Sequence, residues 1–159
     1  MISLPYRWIS TIFLVLFVIA CDKQTIYDRV IPLSADGWSY DEKVDFLYTI
    51  SDTLKTYDIL IHVRNTKSYA YSNLWLFIET LAPNDRIQRD TLEIILADET
   101  GRWMGKRKQS INTVLIPYRE IVHFSGRGIY QTTIQHAMRD TTLKHITDVG
   151  LRIQFHSPK

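Results

Sequence analysis

Val149-Gly150-Leu151-Arg152-Ile153-Gln154-Phe155-His156 alternates apolar and polar side chains with a period of two. Successive side chains of a strand point to opposite faces. Val149, Leu151, Ile153 and Phe155 are therefore set to face a core, and Arg152, Gln154 and His156 to face out. The same period recurs upstream. Val44, Phe46, Tyr48 and Ile50 alternate with Asp45, Leu47 and Thr49, and Tyr57, Ile59, Ile61 and Val63 with Asp58, Leu60, His62 and Arg64. Leu92, Ile94 and Leu96 alternate with Thr91, Glu93 and Ile95, and residues 113–116, 121–124 and 129–138 follow as further strands. Residues 74–81 are nearly continuously apolar, which predicts a strand covered on both faces.

Turn-forming residues separate these runs: Ser51-Asp52, Asn65-Thr66, Pro83-Asn84-Asp85, Glu99-Thr100-Gly101, Ser125-Gly126 and Thr147-Asp148. Only residues 141–146 leave room for a turn or two of helix. Seven or eight short strands at this spacing predict an all-β domain over residues 36–159. Its expected form is an antiparallel β-sandwich of jelly-roll or immunoglobulin-like type.

Composition bounds the function. A chain of 159 residues, 45% apolar and 23% charged, is globular and of single-domain size. Nineteen basic against 17 acidic side chains give +2, too balanced for nucleic acid as a general partner. A single cysteine excludes an intramolecular disulfide and a cysteine-based zinc site. His62, His123, His136, His145 and His156 lack metal-ligand spacing, and most are expected on outward faces or at strand ends, so no metal is expected. The chain has no nucleophile elbow, phosphate loop or dinucleotide fingerprint. Asp45 and Asp58, expected on neighbouring strands, read as solubility residues. No catalytic residue is expected, and no cofactor beyond a covalent lipid.

That lipid is expected at Cys21. Arg7 precedes residues 9–20, an uncharged, almost wholly apolar run, which is the order of a secretory signal peptide. Twelve residues are too few to cross a bilayer, where a helix needs about 20. Val18-Ile19-Ala20-Cys21 resembles the bacterial lipobox: a small residue fits the peptidase pocket, and the cysteine sulfur takes diacylglycerol. Two or three acyl chains at about 0.8 kcal/mol per buried CH₂ make a stable anchor. Residues 1–20 are thus expected to be a signal peptide and 21–35 a lipidated tether. Residues 22–33 lack a steady period, and Pro32 and Gly37 mark entry to the domain. About fifteen extended residues reach on the order of 50 Å, enough to hold the domain clear of the headgroups.

One hairpin invites a partner. Asp98, Gly101, Arg102, Trp103, Gly105 and Lys106 are the candidate contact residues. A tryptophan between glycines can stack on a sugar or anchor an interface. It can also fold back onto the sandwich edge, with Gly101 supplying a positive φ. Arg102, Lys106, Arg107 and Lys108 suit lipopolysaccharide phosphates, an acidic glycan or an acidic protein, or form a solvated loop. Tyr71 and Trp75 read as packing residues and Asn73 as a donor to local backbone.

Several segments, taken in order, resemble one family. They are Val63-Arg64-Asn65, residues 70–78 (AYSNLWLFI), Asp90-Thr91-Leu92-Glu93 and residues 96–105 (LADETGRWMG), then His136-Ala137-Met138-Arg139 and residues 148–153 (DVGLRI). Together they are similar to the gliding-motility lipoprotein GldH family of Bacteroidetes, and they span essentially the whole mature domain. Lys106-Arg107-Lys108-Gln109 departs from the glycine that the family favours at that point. The resemblance implies a non-enzymatic cell-envelope lipoprotein, anchored to a membrane and needed for gliding or the associated type IX secretion machinery. Its expected partners are other envelope proteins of that machinery. The alternative from the residues is a module binding envelope glycan or peptidoglycan.

Overall fold

The computed structural model describes residues 24–158, so the signal peptide expected at 1–20 and the lipid site expected at Cys21 lie outside the described residues. Among the described residues the elements are strands: β1 (Thr25–Pro32), β2 (Trp38–Ser39), β3 (Val44–Ile50), β4 (Tyr57–Thr66), β5 (Asn73–Leu81), β6 (Ile87–Ile95), β7 (Lys106–Lys108), β8 (Ile111–Val122), β9 (Gly128–His136), β10 (Thr142–Leu143) and β11 (Ile146–Phe155). A five-stranded sheet, ordered β1-β11-β4-β8-β7, packs on a four-stranded sheet, ordered β3-β9-β5-β6. Every pairing is antiparallel. The all-β sandwich expected from the alternation is what forms, with eleven strands among the described residues where seven or eight were anticipated. Residues 113–116 and 121–122, expected in two separate strands, belong to the one twelve-residue strand β8.

The core lies where the apolar alternation aims it. Val44, Phe46, Tyr48 and Ile50 of β3 meet Ile59, Ile61 and Val63 of β4 and Val149, Leu151 and Ile153 of β11, all buried. Burying each such aliphatic or aromatic side chain contributes about 1.5–3 kcal/mol. Thr132 is an inward polar exception, and its hydroxyl is satisfied by Tyr48 Oη at 3.1 Å and Thr80 Oγ1 at 3.0 Å. Burial pushes the Tyr48 phenol up to about 12. On one flank the rings of Tyr27 and Tyr48 approach to 5.7 Å. On the other, Asp90 of β6 accepts from Tyr118 Oη and, at 2.7 Å, from Arg119 Nη2 of β8, tying the two sheets together.

Five expectations are corrected. Residues 25–32 are not tether but edge strand β1, registered on β11 from Thr25↔Gln154 to Pro32↔Asp148. An edge strand over the core margin buries little, so its alternation is faint. Strand β5 is covered on one face only: Leu74, Leu76 and Ile78 are buried, whereas Trp75 and Phe77 are 37% and 43% exposed on the open face. Residues 141–146 form no helix; Thr142 and Leu143 pair with Ser39 and Trp38, and His145 turns the chain with φ +72°. Asp45 and Asp58 are not on neighbouring strands, since β3 pairs with β9 while β4 lies between β11 and β8. His136 faces inward and is fully buried, edge-on to Trp38 at 5.3 Å, and His62 is buried as well, 3.0 Å from Asp28 Oδ1.

Burial lowers the pKa of His136, against a smaller opposing pull from the Trp38 backbone and Asp140. It lowers that of His62 too, with Asp28 opposing. A folded-state pKa below the unfolded value means that the unfolded chain takes up protons first as pH falls. Stability from these two groups is therefore complete above about pH 6.5, the ordinary histidine value, and declines below it towards the lower folded-state values. We expect the melting temperature to drop between pH 7 and pH 5, and to drop less in His136→Phe. An equal drop in both chains would refute the role of His136.

Candidate functional site at the end opposite the N-terminus

The antiparallel register sorts the loops to two ends. Where β1 begins, β11 ends, β4 begins and β8 ends, as Thr25↔Gln154, Phe155↔Tyr57 and Tyr57↔Val122 are partners. The far end carries the close of β6, all of β7 and the start of β8, with Lys106↔Thr113 and Lys108↔Ile111 in register. All six candidate contact residues, 98 to 106, stand at this far end.

Their hairpin is built around one carboxylate. Asp98 Oδ1 accepts from Thr100 N and Arg102 N, both at 3.0 Å, and from Thr100 Oγ1 at 2.6 Å; Oδ2 accepts from Arg102 Nε at 3.0 Å. These bonds, the Thr100 hydroxyl first, lower the Asp98 pKa to about 2. Gly101 turns the chain with φ +78°, and Trp103 returns it to the sheet through a bridge to Ala97. The indole is half-buried against the core, its ring 6.4 Å from that of Tyr69. Of the two readings of Trp103, folding back onto the edge is the one the fold adopts. Arg102, 84% exposed at its side chain, stands out over Asp98. Lys106, Arg107 and Lys108 form the exposed edge of the five-stranded sheet, where charge discourages pairing with another chain.

The topology adds residues that the linear pattern does not single out. Tyr69 donates its hydroxyl to Asn73 O at 3.0 Å and packs edge-on to Tyr71 at 5.7 Å. Tyr71 in turn donates to Asp140 Oδ2 at 2.8 Å. Two hollows share Tyr71 as a wall: one of about 310 Å³ includes Tyr69, Asp140 and Lys144, and one of about 440 Å³ includes Trp75, Met138 and Arg139. Asn73, expected to bond local backbone, instead donates across to Glu93 Oε1 of β6 at 2.7 Å. Tyr69 comes from the connection after β4, and Met138 and Asp140 from the connection after β9, so their meeting is not encoded in any one linear segment.

The end surface is thus aromatic, polar at its rim and held by hydrogen bonds. No group of three or more potential metal-ligating side chains occurs among the described residues. The chain is thus an antiparallel β-sandwich whose far end carries a pre-formed surface of aromatic rings and hydrogen-bonded side chains. A family model described as GldH lipoprotein matches residues 25–153, so the chain belongs to the GldH lipoprotein family. It is 35% identical over 150 residues to a "Gliding motility lipoprotein GldH homolog" of Christiangramia forsetii, covering 90% of this chain and 91% of that one. It is 30% identical over 146 residues to "Gliding motility lipoprotein GldH" of Flavobacterium johnsoniae, covering 87% of this chain and 90% of that one. Among solved structures it is similar to part of dimeric latent PorU from Porphyromonas gingivalis, at 7% identity and a TM-score of 0.27, over 83% of this chain and 13% of that one. A likeness that slight carries no argument. Family membership makes this a membrane-associated lipoprotein of the cell envelope.

Proposed function

We propose that the chain is a non-catalytic, lipid-anchored component of the machinery for gliding motility and the type IX secretion associated with it. In this reading Cys21 carries the lipid and the far end of the sandwich contacts other envelope proteins. The observation that carries it is the polarity of the fold. The N-terminus of the domain and the 98–106 hairpin lie at opposite ends, which suits a protein held at a membrane by one end and working with the other. The relatives named for gliding motility support the pathway. The hydrogen-bonded hairpin supports a pre-formed contact, since order present before binding spares its entropic cost.

A second reading has its own support. Tyr71 and Trp75, each 37% exposed, border one hollow, and exposed aromatic faces stack on sugars. A glycan module would use these two rings in preference to the half-buried Trp103. Affinity purification of the lipid-bearing chain from gently solubilised native membranes separates the readings. Enrichment of gliding or type IX secretion proteins is the expected result. Recovery of cell-wall glycan with no protein partner would overturn the proposal in favour of the second reading.

A further inference from the structure

We propose that the end of the sandwich nearest the N-terminus rests on the bilayer, with Leu54 inserted among the lipids and Lys55, Arg86 and Arg127 facing the headgroups. This rests on the reading of Cys21 as the lipid attachment site. The link from the anchor to the domain is short. Strand β1 begins at Thr25, four residues beyond Cys21. At about 3.3–3.6 Å each these span on the order of 14 Å, not the 50 Å of an unstructured tether. Whatever end carries Thr25 cannot stand away from the membrane.

That end also presents a surface suited to lipid. The 51–56, 82–86 and 123–127 connections all close there, because Ile50↔Gly128 and Leu81↔Ile87 are register partners at the same limit of the four-stranded sheet. Leu54 is 86% exposed at the tip of the first connection. Its position is built. Asp52 Oδ1 accepts from Leu54 N at 3.0 Å, Tyr57 Oη donates to Asp52 O at 2.6 Å, and the Lys55 ammonium lies 4.2 Å from the centre of the Phe155 ring. Ile121 and Ile129, 60% and 64% exposed, flank this end on the two sheets. Ile121 moreover holds φ +56°, a conformation costly for a β-branched residue, with its N–H bonded to Asp58 Oδ1 at 3.2 Å.

The charge is also suited. Lys55, Arg86 and Arg127 are exposed in these three connections. Asp85 is the exposed acid among them, while Asp52 is turned onto the Leu54 amide. An apolar tip ringed by cations is the arrangement by which a surface segment sits at the headgroup boundary. The far end, with Trp103 and the hollows around Tyr71, is then directed away from the membrane.

Spin labels test the placement on the lipidated full chain in vesicles of phosphatidylethanolamine and phosphatidylglycerol. Leu54→Cys carries the label at the proposed contact and Arg102→Cys carries it at the far end; both sites are exposed, so neither change should disturb the core. Flotation of the chain with the vesicles reports the anchor separately. The expected result is loss of relaxation by a water-soluble nickel chelate at position 54 with gain of relaxation by oxygen, and the reverse at position 102. A floating chain whose position 54 is as open to nickel as position 102 would overturn the docking while leaving the anchor intact. Shielding of position 54 from both reagents would overturn it too, placing a protein there. A chain that fails to float would remove the anchor, and the docking with it.

Discussion

A Cys21→Ala chain is expected to leave the membrane fraction and to lose incorporation of a labelled fatty acid, with its melting temperature unchanged. The first described strand begins at Thr25, four residues beyond position 21, and the core lies further along the chain. Fold and attachment are then separable. The attachment itself is large: a single acyl chain binds only marginally, and two or three hold for practical purposes permanently. What remains after the substitution is the docking end. Complete burial of one leucine contributes about 1.5–3 kcal/mol, enough to orient an anchored domain and too little to hold a free one. Nor can the twelve-residue apolar run at 9–20 substitute, being well short of the roughly 20 residues a spanning helix requires. Full recovery of Cys21→Ala with the membranes would contradict the anchor.

The largest loss of stability per atom added is expected at Gly105, and Gly101 provides its control. Both have positive φ, +81° and +78°. They differ in their surroundings. A Cβ at Gly105 would stand 2.3 Å from Thr113 O and 3.0 Å from Thr113 C, backbone of the strand β8 that β7 pairs with. A Cβ at Gly101 meets nothing within 4 Å. Gly101→Ala should therefore cost about 1 kcal/mol, the strain of a left-handed conformation in an L residue. Gly105→Ala adds a clash that backbone must move to relieve, for about 3 kcal/mol or more in total. The movement available is to lift β7 off β8. Urea midpoints should separate the two variants, and amide exchange at Lys106 and Lys108 should accelerate in Gly105→Ala alone. Equal midpoints would show that the hairpin is not seated on β8 as described.

The strands that carry the core are the ones whose alternation is easiest to read. Strands β3 and β11 place every second residue in the interior, and Phe46, Ile50, Leu151 and Ile153 sit there as the period requires. Strand β1 carries no steady period because it lies at a sheet edge, where Tyr27 and Ile31 border the core without being enclosed by it. Strand β5 misled in the opposite sense. Its continuous apolar run suggests two covered faces, yet Trp75 and Phe77 stand on the open outer face. The 98–106 hairpin was legible as a turn from its glycines, and Asp98 as its organising acid was not, because its partners are backbone amides as much as side chains. Tyr69, Tyr71 and Asp140 meet only because the connections after β4 and β9 arrive at one end. No linear period encodes that meeting.

The two-ended arrangement has a consequence for the anchor. On the proposed anchoring at Cys21, the short link would leave the domain little freedom to turn over, and the far end would be presented at a set distance from the membrane. The sandwich would then act as a rigid spacer whose length is that of its strands. At about 3.3 Å per residue, the ten residues of β4 span roughly 33 Å. Partners would meet the 98–106 hairpin and the Tyr71 hollows at about that height.

The measurement that bears most directly on this account is the purification from native membranes, run in parallel on the unaltered chain and on a Tyr71→Ala/Lys106→Glu variant. Both substitutions are at the far end, on exposed side chains, and neither touches the anchor. Tyr71 gives up its ring contact to buried Tyr69 and its bond to Asp140, so the melting temperature of the variant is measured alongside. Gliding or type IX secretion proteins should be enriched with the unaltered chain and lost with the variant, while both chains remain equally abundant in the membranes. Equal enrichment of the same proteins by both chains would contradict this account and move the working surface elsewhere on the sandwich.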